Sequence, residues 1–207
     1  MSPRISLDAR EQYFQERREQ ILDAAMKVFG RKGFAGANVS DIAKEAAIGK
    51  GTLYLYFKSK EEIFNSLLTE HSFIPHLADH ISRKDETLRE MLTHIGLDYL
   101  NRREEYLPLI RIAISELYRF PEYADKIHEQ VIRAGSEMLA SLFSEKIREG
   151  KLQLRKDPYL MAQAFFGMLV TYVISQELLG GKKIHAISVE DWVDEMVGVF
   201  LKGIENS

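Results

Sequence analysis

The stretch from Asn38 to Lys60, NVSDIAKEAAIGKGTLYLYFKSK, limits what this chain can fold into more than any other. Asn38 is placed to cap a helix: its side chain can take the free amide of Asp41 while Asp41 reaches back, a capping box. Val39, Ile42, Ala43 and Ala46 then fall on one helical face. Ile48-Gly49 breaks that pattern into a tight turn, and Leu53 and Phe57, four apart, turn a following helix inward. Ahead of them Ile21, Ala25, Val28 and Phe29 share a face of a helix that stops at Gly33, a natural left-handed C-terminal position. Three short helices around one turn are expected, of the helix-turn-helix kind.

Beyond residue 60 the helical period continues and nothing reads as a strand. Ser59 is a second cap, with Glu62 completing another expected box. Ile63, Leu67, Ile74, Leu77 and Ile81 keep one apolar phase across Pro75, so the spacing predicts a kinked helix there rather than a stop. Leu88 to Tyr99, residues near 106–118, and a long run from Pro121 to Gly150 follow. Asp157-Pro158 starts a helix over 158–179 that is apolar on nearly every side, ended by Gly180-Gly181. The last helix carries Trp192, Val193, Met196, Val197 and Phe200. Helices apolar over more than one stripe bury more than one face. A subunit interface is therefore expected from Phe166, Gly167, Val170 and Ile174 together with those five. The fold class is all-α with about nine helices: a head over 1–60, with 1–18 as an N-terminal extension, and a body over 61–207.

At 207 residues and 45% apolar, the chain can bury a core without staples. It has no cysteine, so thiolate chemistry and disulfides are excluded. No stretch of about 18 uninterrupted apolar residues is present, and the charged N-terminus lacks a secretory apolar region, so a cytoplasmic protein without a membrane partner is expected. The net charge of −3 hides a division. Residues 1–60 hold 11 Lys+Arg against 7 Asp+Glu, and the remainder 17 against 24. A basic head on an acidic body suits a protein that grips phosphates at one end.

With Leu53 and Phe57 inward, the third helix turns Lys50, Thr52, Tyr54 and Tyr56 towards solvent. Gly51 lets the backbone approach a phosphate or base edge. Tyrosine hydroxyls and ring faces suit phosphate oxygens and thymine methyls. Double-stranded DNA is the partner these residues point to. The segments ILDAAMKVFGRKGF, NVSDIAKEA and GKGTLYLYFKSKEEIF, in that order and spacing, resemble the DNA-binding head of the TetR family of bacterial repressors. The resemblance implies a homodimeric repressor, released from a palindromic operator by a small-molecule effector bound in the body, whose last two helices pair with their mates. It implies base or phosphate contacts from Lys50, Gly51, Thr52, Tyr54 and Tyr56, and phosphate contacts from Ser40 and Lys60. Gly49 stands where the family often has Ser, which loses a cap; Ala47 stands where it often has Gly, which asks a residue with a Cβ to turn the corner. The KGTLYLYFKSKEEI variant is also similar to regulators of fatty-acid degradation, whose effectors are acyl-CoA thioesters. A helical protein-interaction module with a non-functional head is the alternative.

In the extension, Arg4, Arg10, Arg17 and Arg18 suit an arm reaching a minor groove, while Asp8, Glu11 and Glu16 suit a plain helical extension. In the body, Tyr99, Tyr106, Phe143, Phe165, Met168 and Tyr172 are candidate lining for an apolar pocket. Arg111, a cation on a largely apolar helix, must be paired, snorkel or meet an anionic ligand. His76 and His80 are four apart, but no glutamate follows the first as HExxH requires. No metal or other cofactor is expected, and no motif of phosphate, dinucleotide or acyl-transfer chemistry is found, so a non-enzymatic protein is expected.

Overall fold

A computed structural model describes residues 7–83, 86–117, 121–150, 152 and 157–205. Every regular element among them is helical. The chain divides into two compact units, Met1–Ser72 with Leu107–Ile127, and Phe73–Tyr106 with His128–Ser207.

The first unit is built on α1 (Leu7–Gly36), whose first half takes up residues 7–18 of the N-terminal extension as plain helix; Arg4 lies outside the described residues. Gly33, at φ 69° and ψ 165°, breaks α1 near its end in a conformation that only glycine adopts readily. Helices α2 (Val39–Glu45) and α3 (Lys50–Leu53) pack beneath it, followed by α4 (Lys60–Glu70). Ile21, Leu22, Ile42, Leu53, Phe57, Ile63 and Leu67 are fully buried. Phe29, Phe34 and Phe64 form one aromatic cluster with centroids 5.1–6.2 Å apart. Arg18 bridges α1 to α4, bonding Ser66 and Glu70 while its guanidinium covers the Phe57 ring at 4.5 Å.

The expected kink at Pro75 is instead a break. Helix α4 ends at Glu70, His71–Phe73 bend, and α5 (Ile74–Ile81) restarts with Pro75 in its first turn. Proline offers the carbonyl of residue 71 no N–H and its ring clashes there, whereas the first turn of a new helix needs neither. The apolar phase survives because both sides of the break have a core to face.

The second unit holds α5, α6 (Leu88–Asn101), α9 (Ala134–Arg148), α10 (Pro158–Tyr172) and α11 (Val189–Glu205). Helix α7 (Arg103–Leu117) begins in the second unit and is assigned from Leu107 to the first, and α8 (Pro121–Ile127) continues through a π-helical stretch, His128–Arg133, into α9. Among the described residues, taking α8–α9 as one helix and α4–α5 as one broken helix gives the nine expected. Thr87 and Asp157 cap α6 and α10. Helix α10 also runs on through a π-helical stretch, and Pro158–Leu178 is long and apolar enough to cross a membrane, with mean hydropathy 1.3. Gln163, Thr171, Gln176 and Glu177 interrupt that run, so the expectation of no uninterrupted apolar stretch of that length holds, and Met161, Ala162, Phe165, Leu169, Tyr172 and Val173 are core residues of this unit.

Helix α11 corrects the expected interface. Val193 and Val197 are fully buried, and Met196 and Phe200 nearly so, within the protomer itself. Gly96 of α6 lets α11 come so close that a Cβ there would stand 3.0 Å from Val193 Cγ1. Phe200 packs on Phe143 and Phe165, with centroids 6.1 and 5.5 Å away. Trp192 is half-buried against Tyr172. The breadth of the apolar face is thus used by α6, α9 and α10 of the same chain. Apolar side chains that remain outward include Leu160, Val170 and Ile174 on the α10 run and Val199 on α11.

Candidate nucleic-acid interface and ligand cavity

Asn38 caps α2 as its side chain accepts from Asp41 N at 3.0 Å, and Asp41 Oδ2 accepts from Asn38 N at 3.3 Å. Lys32 reaches the same carboxylate at 2.7 Å, and its hydrogen bond holds Asp41 below the usual carboxylate range. This fixes α2 on α1. The corner falls on Ala47, whose φ of 52° is positive despite its Cβ. Gly49 then opens α3 with no side-chain cap. Both consequences of the family departures are therefore visible.

Helix α3 is one turn, extended by tighter bonds from Leu55 N to Thr52 O and Tyr56 N to Leu53 O. Leu53 and Phe57 anchor it, which leaves Lys50, Gly51, Thr52, Tyr54 and Leu55 exposed. Tyr54 and Leu55 are 45% and 77% exposed. The Lys50 ammonium lies 5.9 Å from the Tyr54 ring centre. A methyl on Gly51 would meet nothing, so packing within the protein does not require glycine there. Ser40 is exposed in the first turn of α2. Tyr56 is half-buried, its ring stacked on Phe14 at 4.6 Å; the extension thus serves to hold that tyrosine.

Lys60 departs from its expected role. Its ammonium donates to the carbonyls of Phe34, Ala35 and Ala37 at 3.0, 3.4 and 3.2 Å and sits over the Phe34 ring. All three N–H donors are engaged at the end of α1, so none is left for a phosphate. Glu62 is also shifted by one from the expected box: Ser59 caps Glu62 N, but the Glu62 carboxylate takes Lys58 N.

The second unit holds an apolar cavity of about 350 Å³, within the range of small-molecule sites. Phe73, Ile74 and Leu77 form one wall and Val131, Ile132, Gly135 and Ser136 another. Gln163, Phe166, Gly167 and Val170 of α10 close it, with Tyr99. Of the expected lining only Tyr99 is there. Burial pushes its phenol well above the ordinary range, as it does that of Tyr106, whose ring lies 5.0 Å away. Phe143 and Phe165 are core, and Tyr172 is tied to the carbonyl of Ile187 at 2.8 Å. Met168 is half-buried away from the cavity lining. Arg111 belongs to the first unit, exposed beside a cleft with Lys32 and Pro108. Conversely Phe166, Gly167 and Val170, expected at an interface, line the cavity. The signal that marks it is two glycines, 135 and 167, on otherwise apolar helix faces.

Residues 21–67 match the family model "Bacterial regulatory proteins, tetR family", and residues 90–203, more than half the chain, match "AefR-like transcriptional repressor, C-terminal domain". The chain belongs to the TetR family of transcriptional regulators. Among TetR-family relatives it is 29% identical over 194 residues to the fatty acid metabolism regulator protein of Bacillus subtilis, covering 90% of this chain and 95% of that one. It superposes on the FadR regulator of Bacillus subtilis in complex with stearoyl-CoA with a TM-score of 0.69 and 27% identity, over 90% of this chain and 98% of the other. The fatty acid degradation regulator FadR of Bacillus halodurans gives 0.72 and 26%, over 90% and 95%. Both features lie within the TetR fold: an exposed helical turn in the head and an apolar cavity in the second unit.

Proposed function

We propose that the protein is a cytoplasmic homodimeric repressor that reads a near-palindromic operator and leaves it when a long-chain acyl-CoA thioester fills the cavity. Lys50, Gly51, Thr52, Tyr54 and Tyr56 meet base edges and phosphates, with Ser40 on the adjoining backbone. Two such segments in a dimer are spaced for successive major grooves, about 34–36 Å apart. The dimer forms through the outward Val170, Ile174 and Val199 rather than through the buried residues of α11. The observation that carries the effector reading is the cavity itself, apolar on every wall apart from Ser136, Gln163 and the Tyr99 hydroxyl. That lining suits an alkyl chain, and the stearoyl-CoA held by the Bacillus subtilis relative supports the class. Phe73 and Ile74 line it and follow α4 in the chain after a short bend, so an occupant that displaces them acts on the helix closing the head. Differential affinity sets the switch: a hundredfold release needs about 2.7 kcal/mol.

Fluorescence anisotropy of an operator duplex tests this. Long-chain acyl-CoA should release the DNA, with free coenzyme A and short-chain thioesters far weaker. Release that does not depend on chain length would refute the seating of the chain in the cavity.

A further inference from the structure

Glu19 and Asp23 stand one turn apart on α1, and His71 caps the end of α4. One ligand atom of each lies within 4.8 Å of the others. His71 Nε2 is 3.2 Å from Glu19 Oε1, yet that nitrogen, screened from water, makes no hydrogen bond. The imidazole nitrogen and the carboxylate stand at ion-pair distance but are not aligned for a hydrogen bond. Ligands placed tetrahedrally about 2.0–2.1 Å from a zinc ion stand roughly 3.4 Å apart. The Glu19–His71 spacing is already close to that, and only the Asp23 oxygen has to close in.

Charge points the same way. The two carboxylates bring negative charge, and the nearest arginine in sequence, Arg18, is taken up by Ser66, Glu70 and the Phe57 ring. We propose that Glu19, Asp23 and His71 form a divalent metal site of the zinc class, clipping α1 to the C-terminal end of α4. The nitrogen ligand selects a borderline transition ion over magnesium or calcium, which favour all-oxygen sets. Water completes the coordination, because both carboxylates are exposed. The clip acts within the head unit, at the last residues before the chain passes to the second unit. It is independent of the acyl-CoA cavity.

Calorimetric titration of the full chain, stripped with a chelator, with Zn2+ and separately with Mg2+ tests the site. Co2+ serves as a spectroscopic substitute. One saturable equivalent of Zn2+, a rise in Tm on binding and no Mg2+ response are expected. Glu19→Gln and Asp23→Asn change exposed side chains, so the protein stays folded, and each should weaken Zn2+ by about tenfold or more, as should His71→Ala. His76→Ala with His80→Ala should leave the binding unchanged. No saturable Zn2+ binding, or equal affinity in the Glu19 and Asp23 variants, would overturn the proposal.

Discussion

Gly135 offers the sharpest test of the cavity. A Cβ built there would stand 3.1 Å from Ile74 Cδ1, 3.8 Å from Phe166 Cε2 and 3.9 Å from Leu77 Cδ2. Any side chain at 135 therefore points into the space the effector is to fill. Gly135→Ala adds one carbon, and the end of Ile74 must yield by a few tenths of an ångström. Helix α9 itself gains, since alanine is about 1 kcal/mol better than glycine in a helix interior. Gly135→Leu adds four carbons. If each displaces one methylene of a bound acyl chain, at about 0.8 kcal/mol apiece, about 3 kcal/mol of effector binding is lost. That corresponds to a roughly 200-fold weaker effector. The assay is the anisotropy titration of an operator complex with long-chain acyl-CoA, read beside operator affinity and Tm. Operator affinity should hold while the release midpoint moves about fourfold for alanine and about 200-fold for leucine. An unmoved midpoint in a folded leucine variant would refute the reasoning, because the chain would then lie elsewhere.

Three further outcomes follow from particular side chains. Lys60→Met should cost about 2 kcal/mol in thermal unfolding, because charge-assisted bonds to the Phe34, Ala35 and Ala37 carbonyls are lost; an unchanged Tm would return Lys60 to the phosphate role. Ala47→Gly removes a positive-φ cost of about 1–2 kcal/mol and gives back about 0.4–1 kcal/mol through the unfolded chain. A small rise in Tm is expected, and a fall would mean that the corner is not strained. Val170→Glu combined with Ile174→Glu should dissociate the dimer in sedimentation, whereas Val197→Glu should unfold the protomer; a dimer that persists in the double variant places the interface elsewhere.

The head was legible because its signals are local. The Asn38 box, the Leu53–Phe57 anchor, the corner at Ala47 and the uncapped Gly49 each depend on residues within four positions. What escaped depends on distant partners. Lys60 looked free until its ammonium met carbonyls some 23–26 positions earlier. The apolar breadth of α11 signalled burial correctly, but sequence cannot say whether the covering helix belongs to the same chain, and Gly96 decides that it does. The cavity is walled by residues from α5, α6, α9, α10 and the π-helical stretch, so aromatic and methionine spacing along single helices selected core positions instead. The break before Pro75 hid behind an apolar phase that two separate cores preserve.

The account rests on the exposed turn from Lys50 to Tyr56 as a reader of base pairs. Selection of duplexes from random DNA with the purified full chain, followed by affinity measurement at several salt concentrations, tests it directly. The recovered duplex should bind at least about 1,000-fold more tightly than a scrambled one, and Tyr54→Ala and Leu55→Ala should each narrow that ratio with Tm unchanged. Equal affinity for selected and scrambled duplexes would contradict it.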